Sequence, residues 1–152
     1  TLPLDKAGLK GAQLKGFVTR RYTEVTDPTT HAPREISNLR PIEWESHYSQ
    51  QFPRWNANWG VDVFGAWRQT FYRADAIEDQ KLKTYVTPYF EWKPRRDIQL
   101  HVEIQNITER GFRNTRRLFT GVRSANGLAF VDDRDQQFGR IFYVRLRKYF
   151  GT

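Results

Sequence analysis

The chain lacks cysteine and methionine altogether across its 152 residues. Without thiols, disulfide frameworks and thiolate metal sites are excluded, and the redox compartment is left open. A primary translation product begins with Met, so a chain that starts at Thr1 is expected to be a processed or truncated piece. Long apolar runs are missing too, and no stretch approaches the roughly 20 residues that a spanning helix requires. Only 38% of residues are hydrophobic, and mean hydropathy is -0.77. Those values leave open a membrane crossed by strands, because about 10 alternating residues suffice and average hydropathy stays low.

Catalytic patterns are also wanting. There is no P-loop, no G-x-G-x-x-G and no Ser-His-Asp ordering. His31, His47 and His101 are widely spaced, without an H-E-x-x-H partner. Asp132-Asp133-Arg134-Asp135 lacks the spacing and glycine of a calcium loop and reads as a turn. No catalytic residue, cofactor or metal is expected.

What is present is aromatic and basic. Phe, Trp and Tyr make up 15% of the chain, and the net charge is +8. Aromatics without a matching aliphatic content fit a thin wall whose rings sit between apolar and wet surroundings. The positive charge admits nucleic acid, anionic lipid or a basic barrel lumen as its explanation.

Two-residue alternation is the dominant pattern. Leu82, Val86, Phe90 and Trp92 alternate with Lys83, Tyr85, Tyr89 and Glu91. Ile98, Leu100, Val102 and Ile104 alternate with Gln99, His101, Glu103 and Gln105, and Phe142, Val144 and Leu146 with Tyr143, Arg145 and Arg147. Trp59, Val61, Val63, Gly65, Trp67 and Phe71 oppose Asp62, Arg68 and Thr70, while Ile42, Trp44, Tyr48 and Phe52 oppose Glu43, Glu45, His47 and Gln51. These runs predict six strands, about 9–24, 40–52, 56–73, 82–93, 97–106 and 139–150, in an all-β, antiparallel up-and-down meander. Short joints at residues 51–55 and 93–97 alternate with longer polar segments near 25–39, 74–81 and 107–138. Short turns on one side and long loops on the other is the asymmetry of outer-membrane barrels. Parity adds a constraint. Even residues are apolar on both sides of the 93–97 joint, so partners must sum to an even number, as Phe90 with Leu100 or Val102 does. A two-residue turn at Arg95-Arg96 would break that match, and three or five turn residues are expected.

Particular segments resemble the end of a TonB-dependent outer-membrane receptor. TLPLDKAGLKGAQLKG (1–16) resembles a periplasmic turn and rising strand, and VTDPTTHAPREISNLRP (25–41) the outer loop that follows. WGVDVFGAWRQTFYR (59–73) resembles the next long strand. LKTYVTPYFEWKPRRDIQLHVEIQNITER (82–110) is similar to the penultimate hairpin with its N-[IL]-[TF]-[DE]-R-like tail, and FGRIFYVRLRKYF (138–150) to the closing strand. The resemblance implies a barrel of about 22 strands, a plug domain, and TonB-driven import of a scarce ligand of the siderophore, cobalamin or carbohydrate class. Six strands cannot close a membrane barrel, whose smallest type has about eight. Further strands and the plug of the same protein are therefore expected partners, with the TonB complex reached through that plug. The implied location is the outer membrane of a Gram-negative bacterium. Phe150 matches the family's terminal aromatic barrel-assembly signal, although Lys148 interrupts the alternation before it and Gly151-Thr152 follow.

On this reading Trp55, Trp59, Trp67, Trp92, Tyr48 and Phe150 belong to aromatic girdles at headgroup depth. Asp62, Arg68, Glu103, Arg145 and Arg147 face the lumen. Arg113, Arg116, Arg117 and Arg123, in the outer loop 107–138, are candidate contacts for an anionic ligand or for lipopolysaccharide phosphates. Two rival readings remain. One is a soluble all-β nucleic-acid-binding module, for which Tyr85, Tyr89, Tyr143 and Tyr149 share the charged side; the other is a passive porin.

Overall fold

The alternating segments form strands, all paired antiparallel, in a computed structural model that describes residues 1–151. In chain order these are β1 (Leu2–Pro3), β2 (Ala12–Arg20), β3 (Val25–Thr26), β4 (Pro33–Arg34), β5 (Ile42–Phe52), β6 (Ala57–Phe64) and β7 (Trp67–Tyr72). There follow β8 (Ala76–Leu82), β9 (Tyr85–Arg95), β10 (Ile98–Gln105), β11 (Gly111–Phe119), β12 (Leu128–Gln137) and β13 (Ile141–Lys148). Two single 3-10 turns, Asp5–Ala7 and Pro53–Trp55, punctuate the joints.

A seven-stranded sheet runs β1-β2-β5-β6-β9-β10-β13 and a four-stranded sheet runs β12-β11-β8-β7, with β3 and β4 as a separate small hairpin. The larger sheet is the up-and-down meander anticipated from the sequence. Its register aligns one side across every strand: Leu14 opposite Tyr48, Tyr48 opposite Val61, Val61 opposite Pro88, Phe90 opposite Val102, Val102 opposite Val144. That side is apolar, while the reverse carries Lys15, His47, Asp62 and Thr87 in one cross-strand row.

The apolar side has no second layer. Among the described residues the buried hydrophobic ones are Ala12, Ala57 and Ala76, whereas Phe90, Trp92, Phe142, Val144 and Leu146 are exposed. The accessible surface is 10696 Å², against roughly 8,000 Å² for a compact monomer of this mass. Sealing a single such side chain away from water is worth about 1.5–3 kcal/mol. On this side the central apolar residues, such as Val61, Leu100 and Val102, are half-buried by their neighbours in the sheet, and those of the edge strands are exposed, so little of that gain is realised within the layer itself.

The structure corrects the sequence reading in four places. The expected strand 56–73 breaks at Gly65-Ala66 into β6 and β7. The polar segments 74–81 and 107–138, read as loops, are largely strand: β8, β11 and β12. The first strand is trimmed to β2, and the segment 25–39 contains the β3–β4 hairpin. At the 93–97 joint the turn is Arg96-Asp97, with Ile98 opposite Arg95. An irregularity before Leu100 then restores Phe90 opposite Val102. The even-sum parity holds, through a bulge placed after a two-residue turn instead of a longer turn.

The breaks at 65–66, 83–84, 106–110 and 138–140 lie side by side, because β6 pairs β9 and β9 pairs β10 below them while β7 pairs β8 and β8 pairs β11 above. At this belt the strands that continue above it change phase. Arg40 shows it: its guanidinium bonds Glu43 on the polar side at 3.2 Å, reaches Gln69 at 3.3 Å and lies 4.0 Å from the Trp67 ring centroid. Odd residues of β7 thus lie on the polar side, although odd residues of β6 are apolar-side. Cross-strand rows Trp67–Leu82–Phe112 and Gln69–Gln80–Asn114 carry the swap to β8 and β11. Trp67 therefore leaves the apolar side assigned to it from the sequence, and Arg68 joins that side.

Asn106 clamps the belt. It adopts a left-handed backbone (φ 57°) and is 2% exposed. Its side-chain amide donates to the carbonyls of Phe138 and Gly139, while its oxygen accepts the Arg110 N–H at 2.6 Å. Thr108, two residues on, donates to the Thr84 carbonyl at 2.9 Å. Asn tolerates this conformation and supplies the bonds that the interrupted ladder loses. The Asn-Ile-Thr tail noted in the sequence is thus a strand splice.

Candidate functional site

The polar side of the seven-stranded sheet is a network of paired groups. His47 Nδ1 lies 2.8 Å from Asp62 Oδ1, across the β5–β6 pairing. On β10, His101 sits between Glu91 (3.1 Å) and Glu103 (2.8 Å), with the Tyr89 ring stacked beside it and Tyr143 edge-on. The register puts Asp62, Glu103, Arg145 and Arg147 on this one side. Arg68 is the departure, because the phase change at Gly65-Ala66 turns it to the opposite side. There it bonds Asp79 at 3.0 Å.

Where the polar side meets the belt, Phe17, Arg40, Glu43, Glu45, Phe64 and Arg110 surround a recess of about 280 Å³. Arg110 stands over the Tyr85 ring at 5.5 Å, and its Nε has no hydrogen-bond partner. Burial pulls its pKa below the usual arginine value. A half-buried guanidinium flanked by rings can hold a flat or anionic group, through cation–π contact and charge-assisted hydrogen bonds.

The arginines of the 107–138 segment do not form an open basic patch. Arg113 makes two bonds to Asp133 on the facing strand, and Arg117 bonds Asp79 at 2.9 Å. Arg123 is buried against Asp27. Arg116 faces the polar side with Gln80 and Asn114, and its Nε is buried without a partner. The acidic run Asp132-Asp133-Arg134-Asp135 is a strand, not a turn. It lies opposite Arg113 and Arg116, which accounts for both charge runs at once.

Sequence reasoning missed Asp27. Its carboxylate is 2% exposed and accepts the Thr29 and Thr30 N–H groups, Arg34 Nε at 2.9 Å and Arg123 Nη2 at 2.6 Å. Asp-Pro-Thr-Thr is the signature of an Asx turn, so the local half was readable; the Arg123 half, 96 residues away, was not. Phe150 follows the end of β13, exposed, with Lys148 Nζ 5.0 Å from its ring centroid.

Comparison with protein-family models, with curated proteins and with solved structures finds no match to this chain. What is established of its class is therefore its architecture: an all-β chain of antiparallel sheets with one open apolar face.

Proposed function

We propose that the chain is the C-terminal part of the barrel of a TonB-dependent outer-membrane receptor, importing a scarce ligand of the siderophore, cobalamin or carbohydrate class. One observation carries the reading: large apolar side chains cover one face of a single layer with nothing packed on it, while the reverse face carries polar and charged groups, many of them paired. Lipid is the environment that matches the first face, and a wet lumen the second. Strand lengths support this, since β2, β5 and β9 have 9, 11 and 11 residues, close to the 9–11 of a membrane-crossing strand. Trp44 at the belt and Phe52, Trp55 and Trp92 at the short turns occupy the two rims of the apolar face, where aromatic girdles belong. Above the belt the same side turns charged with Arg68, Asp79, Lys81, Arg113 and Asp133, as a wall leaving the bilayer would. The outer edges, β1 and β13, are unpaired with each other. In lipid they would need neighbouring strands to satisfy their backbone groups; in this proposal those belong to the rest of the barrel. The import mechanism is binding and gated passage, with the plug and the TonB complex as partners.

Vesicle flotation tests the proposal. The chain, diluted from detergent into phosphatidylcholine vesicles, is expected to float with them and resist carbonate extraction. Recovery as a stable, detergent-free soluble monomer would overturn it. The nucleic-acid alternative draws on the tyrosines of the polar side, but Tyr89 is stacked on His101 and Tyr85 lies under Arg110.

A further inference from the structure

We infer that the rim formed by the short turns, at the end of the sheet away from the belt, is a docking surface for anionic phospholipid headgroups. The inference rests on the outer-membrane reading above and adds to it a partner for charge that the chain's own carboxylates leave over. Three segments build the rim: residues 5–10, 53–56 and 93–97. They lie side by side, because the Gln51 N–H donates to the Gly11 carbonyl and the Lys93 N–H to the Asn56 carbonyl, both at 2.9 Å. Together they carry Lys6, Lys10, Arg54, Lys93, Arg95 and Arg96, all exposed. Their acidic residues are Asp5, whose carboxylate accepts the Gly11 N–H at 2.9 Å, and Asp97. Six cations against two carboxylates leave an excess of four, half of the net charge of +8.

The pairing of charges separates this rim from the opposite end. Beyond the belt Arg68, Arg113, Arg117 and Arg123 are each bonded to an aspartate. Among the described residues none of the six rim cations forms an ion pair or donates a hydrogen bond from its side chain. Like charges gathered on one rim repel, and an anionic surface opposite them relieves that repulsion. Aromatic rings decide which anionic partner fits. Lys10 and Arg54 border a groove of about 850 Å³ whose other walls include Phe52, Pro53 and Trp55. Phe52 ends the apolar file of β5, its ring stacks on Trp55 at 5.7 Å, and Trp55 is 70% exposed. A soluble acidic chain would neutralise the cations and leave these rings wet. A phospholipid meets both: its phosphate faces Lys10 and Arg54, and its glycerol and upper acyl carbons cover the rings.

The test is competitive flotation of the whole chain between plain phosphatidylcholine vesicles and the same vesicles doped with phosphatidylglycerol. The parent is expected to favour the doped vesicles, and added salt to weaken that preference. Lys10→Gln/Arg54→Gln should insert into plain vesicles as the parent does but lose about 30-fold of the preference, the worth of two charges beside an anionic surface. Arg20→Gln/Lys83→Gln removes the same charge near the belt and should behave as the parent. Equal preference in the parent and the Lys10/Arg54 variant overturns the docking surface and leaves the barrel reading standing. Polyglutamate mixed with the chain before dilution should leave the preference in place; if it abolishes it at equal charge, the rim belongs to an acidic polymer and the lipid assignment falls. A parent that floats with no vesicle at all overturns both readings.

Discussion

Asp27 and Arg123 meet at 2.6 Å, with side-chain exposures of 2% and 6%, and so tie the β3–β4 hairpin to the tip of the β11–β12 hairpin. Arg123 also donates to the Arg73 carbonyl, and Arg34 completes the cluster over the Tyr72 ring. Burial opposes the Asp27 charge, but the Arg123 bond and the Thr29 and Thr30 amides prevail and hold its carboxyl well below the usual carboxylate range. A depressed folded-state pKa gives stability that is fully present above the unfolded value near 4 and is lost as pH falls through the folded one. The latch should therefore survive at pH 4. Asp27→Ala leaves Arg123 buried and uncompensated, a loss of about 3–5 kcal/mol to the local structure. Limited proteolysis should then cut the 25–39 and 120–127 segments at pH 7, where the parent resists; equal resistance would show that the latch carries no load.

Asn106 should be the most sensitive polar residue of the belt. Asn106→Gly keeps the left-handed backbone and loses the side-chain hydrogen bonds, each worth about 1 kcal/mol net. Asn106→Ala loses the bonds and adds about 1–2 kcal/mol of backbone strain. Denaturant unfolding in detergent should rank parent above Gly above Ala. An Ala variant as stable as the Gly variant would contradict the clamp.

The two sides of the large sheet should respond oppositely to charge. Val102→Arg, opposite Val144 on the apolar side, should cost about 2–4 kcal/mol of vesicle-folded stability if it lies near mid-bilayer. Gln99→Arg, on the polar side, should cost less than about 0.5 kcal/mol. Heat-modifiable mobility after vesicle folding measures both, and a similar response from the two variants would remove the basis for assigning one face to lipid.

The exposed pair of Arg113 and Asp133 makes a different prediction. Hydrogen bonds from Arg113 and then Thr115 hold Asp133 down to about 2. Any contribution from this pair is present above the ordinary carboxylate range and fades only as pH falls through about 2. Carbon-13 NMR titration of Asp133 should show this value, and Arg113→Gln should return it toward 4 with little effect on melting, as for solvated ion pairs.

Belt residues show where sequence reading stops. Within β9, β10 and β13 the alternation was legible because each residue's face follows from its neighbour two positions away. The swap at Gly65-Ala66 was not, because Trp67 and Phe71 continue the apolar beat that Trp59, Val61 and Val63 set. Only Arg40, reaching across from the 36–41 segment, shows that Trp67 has turned to the polar side. The outer hairpins were misread as loops for a related reason: Arg113, Arg117, Asp133 and Asp135 are polar on the outward side, and a strand without an apolar face sends no periodic signal.

The sequence by itself determined an all-β antiparallel meander, the apolar and polar sides of its main sheet, and the parity of the 93–97 hairpin, because these follow from local alternation and the two-residue pleat. Tertiary structure alone decided the phase change at the belt, the pairing of the arginines with Asp27, Asp79 and Asp133, and the groove between Lys10 and Arg54. Those depend on which strand lies next to which, and on contacts between residues far apart in the chain that no local pattern encodes.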